Sequence, residues 1–141
     1  MTIYTIGHST RTIKEFVDLL NLSGVTQLID IRTIPKSRHN PQYTSENLEK
    51  SLDAQGIRYF YLKELGGLRP KVNNTENYGW RNVSFRNYAD YMQSEEFRDG
   101  MDSLVQRAKQ ATTAIMCAEA VPWRCHRSLV GDALLVRHVH V

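Results

Sequence analysis

"TTAIMCAEAVPWRCHRSLVGDAL", residues Thr112 to Leu134, decides the fold. Its first part, "TTAIMCAE", is a short apolar run and reads as a buried strand. Pro122 suits the first turn of a helix. Behind it Leu129, Val130, Ala133 and Leu134 recur at helical spacing. Gly131 inside that helix costs roughly 1 kcal/mol relative to Ala. The junction between strand and helix holds Cys117, Glu119, Arg124, Cys125, His126 and Arg127 within eleven residues.

Working outward, the same alternation covers the chain. "IYTIGH" reads as a first strand ending at Gly7. "TIKE", Thr12 to Glu15, matches a capping box, and Ile13, Phe16, Val17, Leu19 and Leu20 follow at helical spacing, stopped by Gly24. "TQLIDIRTI" is a second strand closed by Pro35, followed by the polar loop "KSRHNPQY". Residues 45–55 predict a short helix ended by Gly56, and "IRYFYL" a third strand. "GGLRPKVNNTENYGW" is rich in Gly and Asn and reads as a long surface loop. "FRNYADYM" and "EEFRDGMDSLVQRAKQ" form two helical pieces broken near Ser94. "VRHVHV" at the end resembles the start of a fifth strand. Strands alternating with helices predict a three-layer α/β fold, Rossmann-like or flavodoxin-like. Its sheet is mostly parallel, of four to five strands, with helices on both faces.

The chain has 141 residues, which predicts one domain over 1–141. Hydrophobic residues make up 41% and charged residues 23%, ordinary for a globular protein. No long uncharged apolar run is present, which argues against a membrane-spanning helix. "MTIYTIGHST" lacks the features of a signal peptide. Two cysteines are too few for a disulfide framework, so the expected setting is cytoplasmic, with thiols or a metal or redox site. The net charge of +3 is too small to declare nucleic-acid binding. Its distribution says more, because Arg32, Lys36, Arg38 and His39 cluster without an acid, and local basic clusters focus anions.

In open parallel α/β sheets, ligands bind beyond the carboxyl ends of the strands. After the first strand come Gly7, His8, Ser9 and Thr10. After the second come Arg38, His39 and Asn40, and after the third Lys63 and Glu64. After the fourth come Cys117, Glu119 and the turn into Arg124, Cys125, His126 and Arg127. The opposite end, around Gly24 and Gly56, is poor in chemical side chains. Cys125 is expected near a helix start among cationic neighbours, surroundings that favour a thiolate and also bind phosphate or carboxylate. Arg124 and Arg127 share a helix face and can grip one anion. Cys117, flanked by apolar residues, reads equally well as an inert core thiol. Polar "GHST" directly after a strand has no packing reason to be there, which favours a functional His8.

Several motifs are absent. A Cys-x5-Arg oxyanion loop fails because six residues separate Cys117 from Arg124. "GHST" lacks the ending of a phosphate-binding P-loop and no GxGxxG occurs, so the sequence leaves the cofactor unknown. The Cys-x7-Cys-His spacing matches no common zinc motif, so no metal is expected.

"YTIGHST", "IDIRTIPKSRHNPQY", "YLKELGG" and "MCAEAVPWRCHRSLVGDAL" together resemble the domain of unknown function 488 family, nearly end to end. The resemblance implies a single-domain α/β protein of bacterial or archaeal type. It points to His8, Arg32, Pro35, Arg38, Asn40, Cys117, Glu119, Cys125, His126 and Arg127. It also implies a further polar segment beyond this C-terminus, so that the chain is cut short there.

The favoured function is an enzyme acting on an anionic substrate, a nucleotide or nucleic-acid-derived component. Arg32, Arg38, Asn40, Arg124 and Arg127 bind the anion. His8, Glu119 and His126 serve as proton-handling groups, and Cys125 or Cys117 as nucleophile or redox group. The alternative is a non-catalytic nucleic-acid- or partner-binding module using the Arg32–His39 loop and the helix bearing Tyr88 and Tyr91. An enzyme needs these groups converging in a pocket, whereas a binder needs them spread along an exposed groove.

Overall fold

The computed structural model describes residues 2–32, 35, 39–66, 83–118 and 127–136. In chain order the elements are β1 (Ile3–Gly7), α1 (Ile13–Leu22), β2 (Gln27–Asp30), α2 (Ser45–Asp53) and β3 (Arg58–Tyr61). They continue with α3 (Val83–Tyr91), α4 (Glu95–Ala108), β4 (Thr113–Cys117) and α5 (Arg127–Val136). The four strands form one sheet in the order β1-β4-β2-β3, and every pairing is parallel. The expected α/β architecture is therefore present.

Local signals act as the sequence implies. The capping box at α1 is closed, with Glu15 N donating to Thr12 Oγ1 at 3.2 Å and Thr12 N to Glu15 Oε1 at 3.1 Å. Gly24 ends the turn after α1 with φ +68°, a conformation that glycine adopts without steric cost. At α4, Ser94 Oγ accepts from Phe97 N at 3.2 Å, which fixes the break between α3 and α4 at Ser94.

Alternate residues along each strand face opposite layers. Ala114 and Met116 of β4 and Leu28 of β2 pack against Phe16, Val17 and Leu20 of α1 and Leu48 and Leu52 of α2. Ile115 of β4 and Ile29 of β2 face the other way, against Phe97, Met101 and Leu104 of α4 and Leu129, Val130 and Leu134 of α5. Each such aliphatic side chain contributes about 1.5–3 kcal/mol when fully buried. The helices thus divide into an α1/α2 layer and an α3/α4/α5 layer.

Some boundaries differ from expectation. β2 spans Gln27–Asp30, shorter than "TQLIDIRTI". Ile31 N still donates to Met116 O at 3.0 Å, but Arg32 N turns onto Asp30 Oδ1 at 3.0 Å, which takes the chain off the ladder. The polar loop "KSRHNPQY" contains a 3-10 turn over Pro41–Tyr43. Helix α5 runs through Val136, so the first residue of "VRHVHV" is helical. Residues 137–141 of that expected strand, Pro122 at the expected helix start, and most of the glycine-rich loop (67–82) lie outside the described residues. No helix of the described residues is long and apolar enough to cross a membrane.

Gly100 of α4 marks a close approach to the chain leaving β3. A Cβ added there would lie 2.8 Å from Glu64 Cβ and 3.1 Å from Leu65 Cδ2. Gly→Ala in an open helix normally stabilises by about 1 kcal/mol. Here Gly100→Ala is expected to destabilise by about 1–3 kcal/mol through overpacking, read as a lower urea midpoint. A raised midpoint would contradict the contact.

Candidate functional site

The direction in which each strand hands over to its helix creates the site. β1 and β2 are followed by α1 and α2, which pack on one face, whereas β4, lying between them, is followed by α5 on the other. The carboxyl ends of neighbouring parallel strands at such a switch are the usual ligand position in doubly wound sheets. Three strand ends meet there. His8 N donates to Cys117 O at 3.0 Å and Ser9 N to Ala118 O at 2.8 Å, extending the β1–β4 ladder past Gly7. Ser9 holds φ at +47°, a left-handed conformation uncommon outside glycine.

At the end of β2, Asp30 is fully buried and Arg32 is 5% exposed. The guanidinium grips the carboxylate through Nε, at 3.0 Å to Oδ1 and 3.1 Å to Oδ2, and through Nη2 at 2.7 Å to Oδ2. Tyr59 of β3 donates its phenol to Asp30 Oδ2 at 2.6 Å. Burial, followed by the charge and hydrogen bond of Asp30, pushes the Tyr59 pKa far above its ordinary value, so the phenol remains a donor.

His8 is 2% exposed and stacks on Tyr43, with ring centroids 4.2 Å apart and planes 15° apart. Its Nδ1 lies 2.8 Å from Ser9 O. Tyr43 also packs edge-on to Phe16 and donates its hydroxyl to Arg11 O at 2.8 Å. Burial pushes the Tyr43 phenol up to about 12. Burial likewise lowers the His8 pKa; the Ser9 carbonyl opposes this, Arg32 adds to it and Asp30 opposes it. His8 therefore feels the Asp30–Arg32 pair and remains a neutral imidazole at pH 7. Two atoms of this group are buried without a hydrogen-bond partner, His8 Nε2 and Arg32 Nη1.

The remaining expected residues fall as follows. Arg127 opens α5 and is buried. It lines a cavity of about 290 Å³ along β1 with Gly7, Arg11, Tyr4 and Leu20. Asn40 caps the 3-10 turn, its carbonyl accepting from Tyr43 N at 3.0 Å. Arg38, Glu119, Arg124, Cys125 and His126 lie outside the described residues. The expected thiol at Cys117 is corrected. The side chain is buried in the core and disulfide-bonded, so in this state its sulfur has no thiolate with which to attack. The chain has one other cysteine, Cys125. Among the described residues no three His, Cys, Asp or Glu side chains gather to hold a metal ion.

Sequence reasoning missed Asp30, Tyr59 and Tyr43. Asp30 had a signal, since "IDIR" sets a carboxylate inside an apolar strand with an arginine two residues on, and residues two apart share a strand face. Tyr59 and Tyr43 had none, because their partners are distant in sequence.

The architecture is a three-layer α/β fold with a parallel sheet and buried polar residues at the carboxyl ends of β1 and β2. The chain belongs to the family described as domain of unknown function DUF488, whose model matches residues 12–134. That match begins beyond His8. No curated protein and no solved structure matches the chain.

Two outcomes check the site. Asp30→Asn leaves Arg32 buried beside a neutral amide and is expected to cost about 3–5 kcal/mol. Tyr59→Phe should cost about 1.5–3 kcal/mol, the range for a hydrogen bond to a charged group. Urea unfolding measures both, and near-neutral effects would refute the buried network. The His8 shift sets a pH dependence. Because its folded pKa is lowered, the unfolded chain binds the His8 proton at a pH where the folded chain does not. Its stabilisation is present above the ordinary value of 6.5 and is lost as pH falls from there through the folded pKa. His8→Gln should flatten the acid side of the stability profile, and an unchanged slope would contradict the assignment.

Proposed function

We propose that the chain is an enzyme acting on an anionic substrate, a nucleotide or nucleic-acid-derived component, bound in the crevice over the ends of β1, β4 and β2. The observation that carries this reading is the pair of buried, unpartnered polar atoms, His8 Nε2 and Arg32 Nη1. Leaving a buried polar group unpaired costs about 1–3 kcal/mol, and a ligand that engages both atoms offsets that cost. Arg32 Nη1 donates to an anionic oxygen of the substrate. His8, neutral through burial, handles a proton at Nε2. Asp30 and Tyr59 are positioning residues that hold the guanidinium with Nη1 spare. Arg38 and Arg124 supply further positive charge to the anion, and Glu119 and His126 further proton transfer. No step is assigned to Cys117.

The binding-module alternative draws less support. Tyr88 is buried with its hydroxyl donating to Leu65 O at 2.9 Å, and Tyr91 donates to Glu64 O at 2.7 Å while packing edge-on to Phe97. These tyrosines anchor α3 rather than offer rings to bases.

Thermal unfolding with adenosine monophosphate, against adenosine as the uncharged control, tests the reading. A tenfold excess over Kd should raise Tm by roughly 3–6 °C. Arg32→Lys retains a charge beside Asp30 but lacks the spare guanidinium nitrogen, and should lose most of the rise. Equal responses to nucleotide and nucleoside would refute the anion site. Salt-sensitive binding of single-stranded oligonucleotide with no response to the mononucleotide would favour the module.

A further inference from the structure

The two edges of the sheet are unlike. With the order β1-β4-β2-β3, β1 and β3 are the outer strands, and among the described residues each pairs on one side alone. The β3 edge begins with exposed Arg58, and the surface beside it is lined by Glu49, Lys50 and Asp53. Charge of this kind keeps an open edge from recruiting other strands. β1, "IYTIG", carries no charge and no proline. Beside it runs the cavity of about 290 Å³, whose apolar wall is Tyr4, Ile6, Leu19, Leu20, Val25 and Ala114. Tyr4 and Leu19 are two of the three large apolar side chains exposed among the described residues. An unguarded edge with open apolar side chains beside it is a seat for a further strand.

The hand of the fold selects the occupant. The steps from β1 to β2 and from β2 to β3 carry their helices on the α1/α2 face and move toward β3. The step from β3 back to β4 carries α4 on the other face and moves toward β1. Opposite directions on opposite faces are one hand, as the right-handed rule for parallel crossovers requires. α5 leaves β4 on the α4 face, so a parallel strand after it lies further in the direction of β1. β1 already holds the neighbouring place, and the next position is its outer edge. The lengths agree. The ten residues of α5 span about 15 Å and the five of β1 about 17 Å. A helix returning along the sheet from the end of β4 therefore finishes near the start of β1. The residues that follow, 137–141, read "RHVHV", an alternation of valine with histidine.

We propose that residues 137–141 supply a fifth, parallel strand on the outer edge of β1, seated in the cavity beside Tyr4 and Leu19. A turn between helix and strand takes about two residues, which leaves 139–141 to pair with the first half of β1. Val139 and Val141 share one face of that strand and cover the apolar wall. The cavity is thus the seat of the chain's own segment rather than of a small ligand, and the edge is closed to other strands.

Amide hydrogen exchange of the wild-type chain, read by NMR, tests this. His8 N donates to Cys117 O, so by alternation along the ladder the Tyr4 and Ile6 N–H groups face β4 and the Thr5 N–H faces the outer edge. Thr5 is expected to exchange about tenfold more slowly in the wild type than in Val139→Lys/Val141→Lys, the equivalent of one net backbone hydrogen bond. Nuclear Overhauser contacts should link the Val139 or Val141 methyls to Leu19 or Tyr4. Equal Thr5 exchange in the two proteins overturns the proposal. Thr5 protection that grows with protein concentration, accompanied by a dimer in sedimentation, assigns the edge to a second copy and also overturns it. The methyl contacts need no mutation, and their absence from the wild type overturns the proposal even if the variant does not fold.

Discussion

The buried Asp30–Arg32 pair is the constraint on which the carboxyl end of the sheet depends. A carboxylate at the end of a central strand must be matched, since an isolated buried charge costs several kcal/mol. Arg32 matches it from two residues away, and in doing so its backbone N–H turns onto Oδ1 and ends β2. Tyr59 of the neighbouring strand completes the shell. Strand termination, charge balance and the placement of the unpartnered Nη1 therefore follow from one contact. Replacing the pair with apolar residues of similar size could preserve the fold, which separates its role in stability from its role in presenting a donor.

The topology supplies the rest. With order β1-β4-β2-β3, the chain visits β1, β2 and β3 with helices on one face, then returns to β4 between β1 and β2 with helices on the other. The carboxyl ends of β1, β4 and β2 then lie side by side. This is why His8 and Arg32, 24 positions apart, sense each other electrostatically.

Much of this was legible in sequence. Alternation of short apolar runs with capped amphipathic segments predicts the parallel sheet, because each signal, such as the Thr12–Glu15 box or the stop at Gly24, is local. His8 was legible as a site candidate because a polar residue directly after a buried strand has no packing purpose, and Arg32 because it opens a basic cluster without an acid. Their partners were not. Tyr43 reaches His8 across the loop after β2, and Tyr59 reaches Asp30 through strand register, and no local pattern encodes either pairing. The state of Cys117 was likewise hidden, since "AIMCAE" reads the same for a thiol as for a disulfide.

Tyr43 has a consequence for recognition. Its hydroxyl holds the carbonyls of Arg11 and Thr12, at 2.8 and 3.3 Å, while its ring lies flat on His8. The segment after β2 and the segment after β1 are thereby fastened to each other and to the first turn of α1. The imidazole is held in one orientation before any ligand arrives. On the function proposed above, that ordering is completed during folding rather than on association, so less of the gross interaction energy is lost to entropy.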